Sequence, residues 1–382
     1  MVTRMEDDLR HAPGPARPQA APEHRRPAPV LDTLPPPTDA GRRPPGGDRP
    51  AATRPLHLTR RGVVVTVATA VVVVAALAVV AGALSGSGGG PAGPPAAVAV
   101  VARADAAAVA FDSRGAWLAD DHDGTVRRFL TARGAPAADV VHVGGRPMAL
   151  AAGFGRLWVA DGAGSVVREI DPATAAEVGA PIPVAQDPDA IAAGDGGVWV
   201  ASLVAGTVSL IDPHRGQVVA STSLPDGAVR LALGPGAVWV SGQTHSLSLV
   251  SPTPVGGSLR WRSVGVGQGP LGVAVGGGSV WVANVQSGTV SRVDPATVRV
   301  TATYRLAGEG GTGAEPEAIA FWRGRLWVGD GQQAEMVALD PATGTQVGSA
   351  LTLPGVVRQL SADPAGGFWA TTANPGTVLR LS

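Results

Sequence analysis

Three aspartates recur at one place in the sequence: Asp120, Asp161 and Asp330 each stand three residues after a tryptophan (Trp117, Trp158, Trp327). At the same offset from four further tryptophans stand Ser202, Gly242, Asn284 and Thr372. Hard oxygen donors suit Ca²⁺ or Mg²⁺, so one reading is a metal or polar-ligand site built on these aspartates. The other is that Asp, Asn, Ser and Thr cap the backbone amides of a turn. A second series lies ten residues before each tryptophan and reads Ala107, Met148, Asp189, Val229, Leu271 and Glu317. Arg358 takes the corresponding place in the last unit if one extra residue is allowed. These residues differ from unit to unit, as pure scaffold positions need not, and Arg146 and Arg230 lie in the same segments. Asp189, Glu317, Arg146, Arg230 and Arg358 together would form a mixed-charge pocket for a polar ligand, the alternative being solvated charge on loop tips.

Catalytic constellations are thin. His122, His142, His214 and His245 fall at no metal-ligand spacing. The densest polar cluster, Asp120-Asp121-His122-Asp123, is expected on an exposed turn. No G-x-S-x-G, P-loop or H-E-x-x-H run is present. The chain has no cysteine, hence neither disulfide nor thiol chemistry.

The elements that would hold these residues follow from an internal repeat. Seven tryptophans (117, 158, 199, 239, 281, 327 and 369) recur at intervals of 41, 41, 40, 42, 46 and 42 residues. Each sits in a run such as RLWVAD or GVWVAS. Around it each unit reads as four short strands, exemplified by Ala190-Ile191-Ala192, then GVWVAS, GTVSLID and QVVASTSL. Asp-Pro recurs between the third and fourth strands at Asp171, Asp212, Asp294 and Asp340, the residue order of a type I turn. Four strands in 40-odd residues make the blade of a β-propeller, and the predicted fold is all-β with seven blades. The tryptophans are then expected to pack between blades. Trp261 and Trp322 fall outside the repeat, and Trp322, just before a turn, is a candidate for exposure. The final unit ends at its third strand, GTVLRLS, while AVAVVARA at 97–104 lacks a unit of its own. Supplying the missing outer strand from there closes the ring and removes the open edge.

The first quarter of the chain is unlike the rest. Residues 1–61 hold 13 prolines, 11 arginines and 7 acids, a composition expected to be disordered. Residues 62–84 are 23 uncharged residues, enough to cross a hydrocarbon core of roughly 30 Å. Arg60 and Arg61 precede them, and the next ionisable residue is Arg103. The positive-inside rule then predicts a single-pass anchor with the tail in the cytoplasm and residues 98–382 outside. A cleaved signal peptide, suggested by Ala81-Gly82-Ala83, is the competing reading, although the apolar run exceeds the usual 7–15 residues. Residues 85–97, SGSGGGPAGPPAA, are expected to be a tether spanning about 20 Å.

The zero formal charge is a cancellation of +4 in the tail (11 minus 7) against −4 in the repeats (19 minus 23). A mildly acidic domain carries no footprint for nucleic acid. The expected partners are the membrane and an unknown ligand or protein outside the cytoplasm.

The motif W-V-A-[DN]-x-x-x-G-T-V-x-x-[IV]-D-P-A-T, followed by a valine-rich strand and P-x-A-[IV]-A, resembles the YVTN family of propellers. More distantly it is similar to NHL-type propellers and streptogramin B lyases. The resemblance covers about 285 residues and rests on blade-building positions, so it implies a fold more than a function. Tyrosine often stands in the YVTN family where this chain has tryptophan. Streptogramin B lyases use a histidine base and a bound Mg²⁺, and their histidine and glutamate pattern finds no residue-by-residue match here. A membrane-tethered sensor or scaffold is therefore the leading expectation, with a metal-dependent lyase or lactone hydrolase as the alternative.

Overall fold

The computed structural model describes residues 98–102, 107–131, 137–194, 196–254, 256–306, 313–362, 367–374 and 376–381. The expected tail, membrane segment and linker lie outside these. Among the described residues no helix is long and apolar enough to cross a membrane.

The described residues form 28 strands in seven antiparallel sheets of four. Six sheets are built from consecutive strands, inner to outer. The seventh takes Val356–Ala362, Phe368–Ala373 and Thr377–Leu381 from the end of the chain and Val98–Ala102 from before the first blade. Val98 pairs with Leu381 and Val100 with Leu379, so the expected closure forms. Gln359 joins the inner strands of blades 7 and 1: its Oε1 accepts from Val109 N at 3.2 Å and its Nε2 donates to Val109 O at 3.4 Å.

Strand formation follows from β-branched residues alternating with small ones, and the repeat tryptophans decide how blades stack. Trp117, Trp158, Trp199 and Trp281 are fully buried, and Trp239, Trp327 and Trp369 nearly so. Apolar side chains gather in seven clusters, one per blade interface. The core is thus a ring of slabs rather than a single centre. Each ring removes on the order of 150–250 Å² from water, about 4–6 kcal/mol before ordering costs. In three blades a guanidinium covers the indole: Arg128 over Trp117, Arg292 over Trp281 and Arg380 over Trp369.

Trp322 departs from expectation. It is buried, 8% exposed, and stacks on Phe368 of the next blade with ring centroids 5.0 Å apart. Its side chain lies in the blade 6–7 interface, so the turn that follows does not expose it. Trp261 remains 39% exposed on the outer strand of blade 4.

Candidate functional site at the channel mouth

The inner strands of blades 2, 3, 5 and 6 each open with a proline: Pro147, Pro188, Pro270 and Pro316. Each proline pairs with the residue three places after its blade's tryptophan, namely Asp161, Ser202, Asn284 and Asp330. Register then slips. Met148, Asp189 and Glu317 are skipped in the ladder, and in blade 5 both Leu271 and Gly272 are. In blade 7, where Val357 stands in place of proline, Arg358 is skipped. A bulge of this kind leaves one residue without a cross-strand partner and re-aims its side chain.

That is why these positions surround the channel. A cavity of about 230 Å³ is lined at its mouth by Ala107, Met148, Asp189, Arg230, Gly272, Glu317 and Arg358. Four of the five expected pocket residues therefore share one cavity. Arg146 does not line it: its Nη2 donates to Asp187 Oδ1 at 3.2 Å and its Nε lies 3.1 Å from Met148 Sδ. In blades 4 and 5 the lining residue is one place later than the spacing rule gives, Arg230 instead of Val229 and Gly272 instead of Leu271.

Charges in the cavity are paired across blades. Arg230 of blade 4 contacts Asp189 of blade 3, and Arg358 Nη1 of blade 7 donates to Glu317 Oε1 of blade 6 at 2.9 Å. Each pair joins residues 41 apart, one blade step. The carboxylates are the inner partners, with side chains 11% and 18% exposed against 45% and 48% for the arginines. Each acid therefore fixes a guanidinium whose remaining N–H donors reach open solvent. Half-exposed pairs contribute only about 0–1 kcal/mol to stability, so holding the fold together does not explain them. The arrangement can bind acceptor or anionic groups on two sides of one opening.

The aspartate ring occupies the same end of the blades and does a different job. Asp120 Oδ1 accepts from the amides of His122 and Asp123, and its Oδ2 from Arg127 at 3.0 Å. Asp330 accepts from the amides of Glu315, Gln332 and Gln333. Asp161 is fully buried and accepts from the amides of Arg146 and Gly164 and from Arg168. Burial alone would raise the Asp161 carboxyl, but those two amides and the guanidinium outweigh it and hold it below its ordinary value. The three aspartates serve turns in blades 1, 2 and 6 and do not converge on one point. Among the described residues the one cluster of potential metal ligands is Asp120, Asp121 and His122, all within a single turn. As a Ca²⁺ or Mg²⁺ site the three-aspartate set does not fit, because its members sit apart with their oxygens engaged.

Blade 4 lacks a ring carboxylate, Gly242 standing in its place, and there sequence reading missed a residue. Asp226, from the preceding loop, reaches into the turn and accepts from the amides of Thr244, His245 and Ser246 and from the Thr244 hydroxyl. A Cβ on Gly242 would lie 2.3 Å from Asp226 Oδ2, so this approach needs glycine. The paired absence and gain, Gly where Asp recurs and Asp sixteen residues earlier, was the available signal. Asp187, the partner of Arg146, was missed as well. It adopts φ 57°, a strained value outside glycine, and no repeat marks it.

Comparison with known proteins gives the fold. No protein-family model matches the chain, and no curated protein is similar to it in sequence. Among solved structures, a streptogramin B lyase superposes with a TM-score of 0.63 at 15% identity, over 75% of this chain and 97% of that one. The WD40 repeats of RRP9 give 0.64 at 12%, over 76% and 99%. An inactive histidine-to-alanine variant of virginiamycin B lyase from Staphylococcus aureus, with quinupristin, gives 0.61 at 14%, over 75% and 98%. At these identities the similarity is one of architecture.

Proposed function

We propose that the propeller is a ligand-binding module whose site is the channel mouth, held at the outer face of a membrane by residues 62–84. The observation that carries the binding reading is the pair of inter-blade ion pairs set on bulges. Asp189–Arg230 and Glu317–Arg358 present two oriented guanidinium groups around a 230 Å³ cavity. A small polar ligand with anionic or acceptor groups suits it.

The lyase alternative draws on the similarity of fold to a streptogramin B lyase and a virginiamycin B lyase and on nothing in the cavity wall. Among the described residues, those lining the cavity include no histidine, serine or lysine, and its carboxylates are each tied to an arginine. No catalytic role is therefore assigned.

Membrane tethering rests on the uncharged run and the arginines before it. The geometry of blade 7 agrees with an open mouth: Val98 pairs with Leu381, which pairs with Phe368, at the end of the blade away from Thr372. A tether attached there leaves the mouth clear.

A thermal-shift screen of the full chain against dicarboxylates, phosphate esters and amino acids tests the site. A ligand at about 100 times its Kd stabilises by roughly 2.7 kcal/mol, and Arg230→Gln with Arg358→Gln should abolish that gain. A ligand that raises both proteins equally sits elsewhere. A C-terminal alkaline phosphatase fusion tests topology, activity being expected and its lack overturning the outward orientation.

A further inference from the structure

One outer edge of the propeller differs from the other six. In blades 2, 3 and 5 the outer strand pairs with its neighbour through a register shift, and the outer strand of blade 7 shifts between Val100 and Ala102. In blades 1 and 6 the outer strand is cut to three and two residues. Bulges and short strands are the usual means of blunting an edge against further pairing. Blade 4 uses neither. Its outer strand, Leu259–Gly265, pairs with Ser246–Pro252 over seven residues without a break.

The side chains on this edge are equally distinct. Trp261 is exposed, flanked by exposed Arg260 and Arg262. The neighbouring outer strand of blade 5, Arg299–Arg305, begins and ends with exposed arginine, and neither strand holds an acid. None of these four arginines makes an ion pair among the described residues, whereas those of the mouth do. Arg260 Nε donates to Ser251 Oγ at 3.2 Å. A domain of net charge −4 thus sets two arginines without ion pairs on the long, regular edge of blade 4 and two more on the neighbouring outer strand of blade 5.

We propose that Leu259–Gly265 is a strand-addition site for an extended acidic segment of a partner protein. Along a strand, side chains alternate, so Arg260 and Arg262 share one face and Trp261 takes the other. An added strand alternating carboxylates with apolar residues would set acids opposite the arginines and apolar groups on the indole. Two other occupants are disfavoured by charge. A second copy pairing antiparallel about Trp261 would set Arg260 against Arg262, and the chain's own first 61 residues are net positive.

The probe is a labelled nine-residue peptide alternating Glu and Val, added to the full chain in detergent micelles and followed by anisotropy. Binding is expected, with slowed hydrogen exchange over 259–265. Arg260→Glu with Arg262→Glu should weaken it by about tenfold or more and favour a Lys/Val peptide instead. That gain by the variant shows that it is folded. No binding, or equal binding of a peptide N-methylated at alternate amides, would overturn strand addition. Arginine-dependent binding to phosphatidylglycerol vesicles without peptide binding would assign the edge to lipid and overturn it too.

Discussion

Asp226 and Gly242 divide between them a task that a single aspartate performs in blades 1, 2 and 6. The carboxylate that caps the turn comes from a loop, and the glycine makes room for it. Burial alone would raise Asp226, but the Thr244 hydroxyl and the His245 and Ser246 amides outweigh it and bring it to about 2. A depressed folded pKa stabilises in full above the unfolded value and is lost as pH falls through the folded one. Asp226→Asn should therefore cost about 1 kcal/mol at neutral pH, below the full linkage value because solvent screens the carboxylate. Melting curves should show the variant about 2 °C below wild type at pH 7 and converging with it between about pH 4 and pH 2. Asp161→Ala, which leaves two amides without their acceptor and Arg168 with Glu177 alone, should cost about 3 kcal/mol by urea unfolding. A cost near zero in that experiment would remove the structural role of the ring. Residue types at these turns were legible from the repeat. Whether they capped amides or faced a ligand was not, because both uses select the same oxygens.

At the scale of elements, the tryptophan spacing carried the blade count and the unassigned run at 97–104 carried the closure. Both signals are periodic and strong. Bulge register is harder to read, since one skipped residue leaves little mark in composition. Counting ten back from the tryptophan finds Met148, Asp189 and Glu317 because Pro147, Pro188 and Pro316 start their strands alike. It misses Arg230 because the inner strand of blade 4 is only Leu231–Gly234 and no proline opens it. There Ser241 takes over, its Oγ accepting from Arg230 N at 3.1 Å. The burial of Trp322 depended on Phe368, a residue of the next blade that no local pattern could supply. Closure gives a test at this scale. Val100→Pro removes a backbone donor from the strand that pairs with Leu379. It should lower the melting temperature and make blade 7 the first site of proteolytic cleavage. An unchanged cleavage pattern would mean that the ring holds without its seam.

For the whole molecule, the zero net charge conceals a basic leading segment, an acidic propeller and, on that propeller, two kinds of arginine. Those at the mouth are each clamped by an acid of the preceding blade, and those on the outer edges of blades 4 and 5 are not. With the ring aspartates engaged in turns, addition of Ca²⁺ or Mg²⁺ should leave the melting temperature where chelator puts it. A cation-dependent rise lost in Asp120→Asn would restore the metal reading. The central claim is that the mouth binds through the placement of its charges and not merely through their presence. Reversing both pairs, with Asp189→Arg, Arg230→Asp, Glu317→Arg and Arg358→Glu, keeps every ion pair while exchanging which blade carries which sign. Titrating a ligand from the thermal-shift screen into wild type and this variant is the most direct test. Near-native melting with affinity reduced at least about tenfold is the predicted result. Unchanged affinity would contradict the account.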